Sequence, residues 1–98
     1  MTLTQFKESL TAAEPPRGLS AALLALWHDG RGDWDAAHHV AQDIAGQDGS
    51  WIHAYLHRKE GDAANAAYWY GRARKPIAKA SLEAEWRDIV IALLARTE

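Results

Sequence analysis

The chain has 98 residues, enough to enclose one hydrophobic core and too few for two. Hydrophobic residues make up 48% and charged residues 24%, a composition that folds rather than remaining disordered. The 11 basic and 13 acidic side chains leave a net charge of −2, so no overall field draws in nucleic acid or an anionic membrane, and the absence of cysteine excludes disulfides, thiolate metal sites and cysteine nucleophiles.

Helical periodicity runs through the chain, and strand alternation is missing. Thr2 and Gln5 have the spacing of a capping box, after which Leu3, Phe6 and Leu10 share one face of a first helix. Glu14-Pro15-Pro16-Arg17-Gly18 cannot continue that helix and reads as a rigid connector. A second helix, about Leu19 to Asp29, is apolar on most sides (AALLALW), which predicts a central position; Gly30 and Gly32 end it. Asp33 caps a third helix, DWDAAHHVAQDIA. At about 100° per residue, Trp34, Ala37, Val40, Ala41, Ile44 and Ala45 gather on one side, and Asp35, His39, Gln42 and Asp43 on the other.

Gly46-Gln47-Asp48-Gly49 is expected to be a turn, with Ser50 capping a fourth helix, WIHAYLHRKE, that Gly61 closes. Asp62 caps a fifth, DAANAAYWYGRAR, whose inner stripe is Ala63, Ala66, Trp69, Tyr70 and Ala73; Lys75-Pro76 ends it. Ser81 opens the last helix, in which Leu82, Trp86, Ile89, Val90, Leu93 and Leu94 form a wide apolar stripe. The expected fold is therefore all-α, with five to six helices in a single domain. It has an N-terminal helix and Pro-rich connector over 1–18, a first helix–turn–helix hairpin over 19–46, a second over 50–75 and a capping helix over 81–97.

Laying Gly32-Asp33 over Gly61-Asp62 also lays Ala37 on Ala66, Val40 on Trp69, Ala41 on Tyr70, Ile44 on Ala73, Ala25 on Ala54 and His28 on His57. Small residues meet small ones at one helical phase, the pattern of a duplicated helical hairpin. GDWDAAHHVAQDI and GDAANAAYWYGRA-RKP resemble the tetratricopeptide repeat family, in which a Gly-Asp turn joins the two helices of a unit. Ala37 and Ala66 stand at the first alanine position after the turn, Ile44 and Ala73 at the second, and Pro76 near the closing proline. The resemblance covers residues 20 to 76. It implies stacked helical hairpins, a terminal helix that buries the open end of the stack, and a surface that binds a protein or peptide.

Within WIHAYLHRKEGD, His53 and His57 lie one turn apart and share a helix face with Glu60, away from Trp51. Histidines at that spacing can both reach one metal ion, but further ligands must come from elsewhere, and the spacing selects none of His28, His38 and Asp33. Ala54 occupies the place where an HExxH protease carries its glutamate, so that chemistry is not indicated. The alternative is a half-buried polar network, with His53, His57 and Glu60 facing the fifth helix and its polar flank, Asn65 and Tyr68. Trp51, Tyr55, Arg58 and Lys59 read either as an exposed aromatic–cationic surface or as core aromatics with two snorkelling cations. Arg31-Gly32-Asp33 spells an adhesion tripeptide but falls on the inter-helix turn, and RARKPIAK puts its positive charge at a helix C-terminus, where the dipole favours it.

The expected function is a non-catalytic interaction module. It binds a peptide, a partner protein or a small polar ligand at a surface of the second hairpin formed by His53, His57, Arg58, Glu60, Asn65 and Tyr68. The competing expectation is a small metal-dependent or acid–base enzyme centred on His53, His57 and Glu60. No cofactor and no metal are expected, with His53 and His57 as the fallback ligands, and neither nucleic acid nor membrane is an expected partner. MTLTQFKESL lacks the apolar run of a secretory leader, and the expected location is the cytoplasm.

Overall fold

In the computed structural model, which describes residues 1–96, the chain forms six α-helices, with no strand among the described residues. They are α1 (Leu3–Ser9), α2 (Ala21–Gly30), α3 (Trp34–Gln42), α4 (Gly46–Lys59), α5 (Ala63–Ala73) and α6 (Leu82–Arg96). The last residue of the expected capping helix, 97, lies outside the described residues. No described helix is long and apolar enough to cross a membrane.

The helix starts follow their side chains. Thr2 and Gln5 form the reciprocal capping box of α1, and the Ser20 hydroxyl accepts from the Leu23 N–H at the start of α2. Asp33 and Asp62 each accept the N–H three residues on, from Ala36 and Asn65, and Ser81 does the same for Ala84 before α6.

The two hairpins, α2–α3 and α4–α5, turn in the same way. Gly32 and Gly61 have φ of +83° and +89°, a region that costs a residue with a Cβ more than it costs glycine. Their N–H groups donate to the Asp29 and Arg58 carbonyls, and the next N–H groups, of Asp33 and Asp62, reach back to the His28 and His57 carbonyls at 3.0 and 2.9 Å. Gly-Asp thus ends one helix and begins the next in both hairpins. The Arg31 side chain of this turn is held by the Leu10 carbonyl at 2.7 Å and lies 4.6 Å over the Trp27 ring, so the tripeptide is built into the packing.

The main core lies where α1, α2, α4 and α6 meet, and it contains Phe6, Leu26, Trp27, Ile52, Leu56, Trp86, Ile89 and Val90, all buried. Each such aliphatic or aromatic side chain contributes about 1.5–3 kcal/mol by leaving water. Of the stripe expected on α6, Trp86, Ile89, Val90, Leu93 and Leu94 are buried and Leu82 is half-buried, and the helix packs on α1, α2 and α4. A smaller cluster, Ala54, Ala66 and Tyr70, sits between α4 and α5, where two alanines let the helices approach closely. Of the stripe expected on α5, Ala66, Tyr70 and Ala73 are buried, Trp69 is half-buried and Ala63 is exposed.

Two buried carboxylates tie α4 to its neighbours. Asp29 of α2, 2% exposed, accepts from the Tyr55 hydroxyl and from Lys59 Nζ, both at 2.9 Å. Glu85 of α6 accepts from Arg58 Nη1 at 2.9 Å and from the Tyr70 hydroxyl. Burial pushes both tyrosine hydroxyls far above their ordinary range, helped by hydrogen bonds to these carboxylates. Tyr55 is thus core, and Arg58 and Lys59 are ion-pair partners rather than an open surface. Trp51 is half-buried, with Lys75 Nζ 4.2 Å over its ring.

One expected boundary is wrong. Residues 46–49 are not a turn and Ser50 is not a cap: α3 stops at Gln42, the chain reverses over Asp43–Ala45, and α4 begins at Gly46. Two glycines make this possible. Gly46 has φ of +83°, and Gly49 lies so close to the α3–α4 connection that a Cβ there would stand 2.1 Å from the Ile44 carbonyl oxygen. The early start lengthens α4 to 14 residues, and Gln47 Nε2 reaches the Ala73 carbonyl at the end of α5. Likewise α5 ends at Ala73, before Lys75-Pro76, with Arg74 in the left-handed conformation.

Candidate functional site

His53 and His57 project from one face of α4, as their spacing requires, and α3 crosses that face with His38. The His38, His53 and His57 ring centroids are separated by 5.1 Å (38–53), 5.3 Å (38–57) and 5.8 Å (53–57). One ring nitrogen from each lies within 4.8 Å of the others. Two tryptophans bracket the group: Trp34 stacks on His38 at 4.8 Å and 9°, and Trp69 stacks on His53 at 4.4 Å and 15°. Trp34 is itself fixed, because its indole N–H donates to the Leu56 carbonyl at 2.8 Å.

Polar partners orient two of the rings. His57 Nδ1 is 2.6 Å from Glu60 Oε1, and His38 Nδ1 is 3.0 Å from the Gln42 side-chain amide. His53, 8% exposed, is different: its Nδ1 is the only buried side-chain polar atom among the described residues with no hydrogen-bond partner. Burial lowers the pKa of His38 below the ordinary histidine value, reinforced by the nearby His57, while Glu60 and Asp35 pull the other way. Burial also lowers that of His53, with His38 and His57 adding to the effect and the Ala41 carbonyl opposing it.

Beside the imidazoles lies a cleft of about 590 Å³ between the start of α4 and the end of α5. His53 and Trp69 form its inner wall, Arg72 and Arg74 one rim, and Gly46, Gln47, Gly49 and Ser50 the other. Among the described residues its lining contains no carboxylate. Neither arginine pairs with a carboxylate among the described residues; Arg72 donates to the Tyr68 hydroxyl at 3.2 Å and lies 5.6 Å over the Trp69 ring. The first turn of α4 has no side-chain cap, so its first N–H groups, which lack intrahelical partners, and the positive end of the helix dipole lie at the rim. Asp48, the acid of that turn, is taken up by Arg96 of α6 at 2.7 Å.

The six residues expected to form the binding surface are divided by the structure. His53, His57 and Glu60 come together, although only His53 meets α5; His57 turns to His38 and Trp34 of α3. Tyr68 is 56% exposed beside Arg72, Asn65 gives its backbone N–H to the Asp62 cap, and Arg58 is directed to Glu85 and the Ala80 carbonyl. Trp69, not Tyr68 or Asn65, is the α5 residue against the imidazoles. Gln42, Arg72 and Arg74 were not among the expected site residues, and the basic run RARKPIAK was the visible signal for the two arginines.

The architecture is that of a small all-α domain built from two packed helical hairpins, with an imidazole cluster and an arginine-lined cleft along its α3–α4–α5 junction. No protein-family model, curated protein or solved structure matches the chain.

Proposed function

We propose that this protein is a non-catalytic interaction domain that recognises an anionic group, a carboxylate or a phosphate, on a small polar ligand or on a peptide segment of a partner protein. The cleft between α4 and α5 receives that group. The observation that carries this reading is the composition of the cleft: two arginines that have no carboxylate partner among the described residues face the uncapped start of a 14-residue helix across a space whose described lining carries no acid. Its volume of about 590 Å³ falls in the range of small-molecule sites. Trp69 and His53 supply a flat aromatic floor for the body of the ligand.

Two further features support a binding role. Among the described residues no hydroxyl is hydrogen-bonded to an imidazole, so the site has no nucleophile–base pair. The matching Gly-Asp turns favour a relationship to tetratricopeptide-type hairpins, whose usual role is to hold a peptide or partner. A chain without cysteine suits the reducing cytoplasm, where we place it.

The test is a titration of the ¹⁵N-labelled protein with inorganic phosphate and, separately, acetate. The amides of Gly46–Ser50 and the Trp69 indole shift first, and changing Arg72 and Arg74 together to Gln weakens the response by about 10-fold or more. Shifts scattered over the surface, or unchanged in the double variant, refute the cleft as the anion site.

A further inference from the structure

We infer that His38, His53 and His57 form a binding site for a divalent transition-metal ion of the zinc class, with three imidazole ligands and one coordination position left for water or an exogenous ligand. This rests on the geometry of the cluster and stands whether or not the cleft binds anions.

Three imidazoles bound tetrahedrally to one ion have a characteristic spacing. With Zn–N of about 2.0–2.1 Å each ring centroid lies about 3.2 Å from the metal, and two centroids then stand about 5.2 Å apart. The observed separations of 5.1, 5.3 and 5.8 Å fit that spacing, with a small inward movement of His53 and His57 completing it. Two ligands come from one rigid helix at i and i+4 and the third from the helix packed across it, so the chain fixes the set before any ion arrives.

The surroundings also match what a metal site needs. A ligating histidine commonly donates its other ring N–H to a carboxylate or carbonyl, which fixes the tautomer and makes the free nitrogen more basic. Glu60 does this for His57 Nδ1. At His38 the Gln42 Nε2 stands 3.0 Å from Nδ1, and a half-turn of that amide, whose O and N are assigned from the hydrogen-bond network, puts its oxygen there to accept the ring N–H. The remaining ring, His53, carries the orphaned buried nitrogen. A bound cation explains why such a ring is kept between two others in the interior, since buried polar nitrogens ordinarily have partners.

Among the described residues no fourth protein ligand belongs to this group, the pattern of sites that keep an open position rather than of closed structural ones. Imidazole nitrogens select zinc, nickel, copper or cobalt over magnesium and calcium, which require oxygen. A second combination, His57, Glu60 and Asp62, also lies within reach of one ion. However, both acids are exposed, and Asp62 already caps α5.

Calorimetric titration of chelator-treated protein with zinc, and optical titration with cobalt(II), test the site. The expected results are one zinc per chain and a cobalt complex with the intense visible absorption of a four- or five-coordinate ion. His38→Ala lowers zinc affinity about 100-fold or more, Glu60→Gln lowers it about 10–100-fold, and His39→Ala leaves it unchanged. Absence of one-to-one zinc uptake, or a cobalt spectrum that stays that of the aquo ion, overturns the inference using the wild-type protein alone. Full affinity in His38→Ala moves the ion to His57, Glu60 and Asp62 and overturns it equally. Circular dichroism confirms that each variant is folded, and His38→Gln serves if the alanine variant is not.

Discussion

Replacing a glycine by alanine should have opposite consequences at Gly49 and Gly71, and the contrast tests how α4 begins. Both residues are helical, so alanine gains up to about 1 kcal/mol of helix propensity at either position. At Gly71 the added Cβ meets nothing within 4 Å, and the gain stands, less what the closeness of the helix end removes. Stabilisation of about 0.5–1 kcal/mol, a rise in Tm of about 2–8 °C for a domain of this size, is expected. At Gly49 the same carbon would sit 2.1 Å from Ile44 O and 3.1 Å from Ile44 Cβ. A backbone oxygen cannot rotate away as a side chain can, so relief requires moving the α3–α4 connection. Overpacking of that kind costs about 1–3 kcal/mol, and a backbone clash this close lies at or above the upper end. After subtracting the propensity gain, Gly49→Ala should be destabilising by about 2 kcal/mol or more. Urea unfolding with unchanged m-values measures both differences. If Gly49→Ala is neutral or stabilising, residues 46–49 form an open turn and α4 does not start at Gly46.

Three other outcomes follow from the packing and the titrating groups. Glu85→Ala strands the Tyr70 hydroxyl and leaves the partly exposed Arg58 to re-solvate, so it should cost about 2–4 kcal/mol; Tyr70→Phe should cost about 1 kcal/mol, and a double-mutant cycle in urea should show them coupled. Because the folded-state pKa values of His38 and His53 lie below the unfolded value of 6.5, the unfolded chain binds protons first as pH falls. Metal-free protein should therefore hold its full stability above pH 6.5 and lose it progressively below, and a double His38→Gln, His53→Gln variant should show a flatter profile in urea melts. Trp69→Ala removes the ring stacked on His53 and opens the cleft floor; it should weaken phosphate binding in the cleft, and unchanged affinity would mean that the ring plays no part there.

The local rules of the sequence carried most of the architecture. Thr2 with Gln5, Asp33, Asp62 and Ser81 each mark a helix start that the structure has, and the apolar stripe of α6 is the buried one, because capping and amphipathicity depend on residues within one or two turns. The start of α4 was hidden for the complementary reason. Gly46 and Gly49 read as turn formers, and only the tight approach of Ile44 shows that the second glycine is there for space within a helix.

The site was legible to the same depth. The face shared by His53 and His57 follows from their spacing alone. That His38 completes the group depends on how α3 is rotated against α4, and that Trp69 rather than Tyr68 meets His53 depends on a few tens of degrees in the phase of α5. Neither rotation is encoded locally. Asp29 and Glu85 were silent in the sequence because their partners, Tyr55 and Lys59, Tyr70 and Arg58, lie far along the chain.

A long-range ¹H–¹⁵N correlation spectrum of the five imidazoles at neutral pH, recorded before and after one equivalent of zinc, interrogates the three-ring cluster itself. We expect His57 to show a protonated Nδ1 beforehand and only the signals of His38, His53 and His57 to move on addition, each to shifts typical of a metal-bound nitrogen. Movement of His28 or His39 alongside them, or of none of the three, would contradict the assignment of this junction as a metal site.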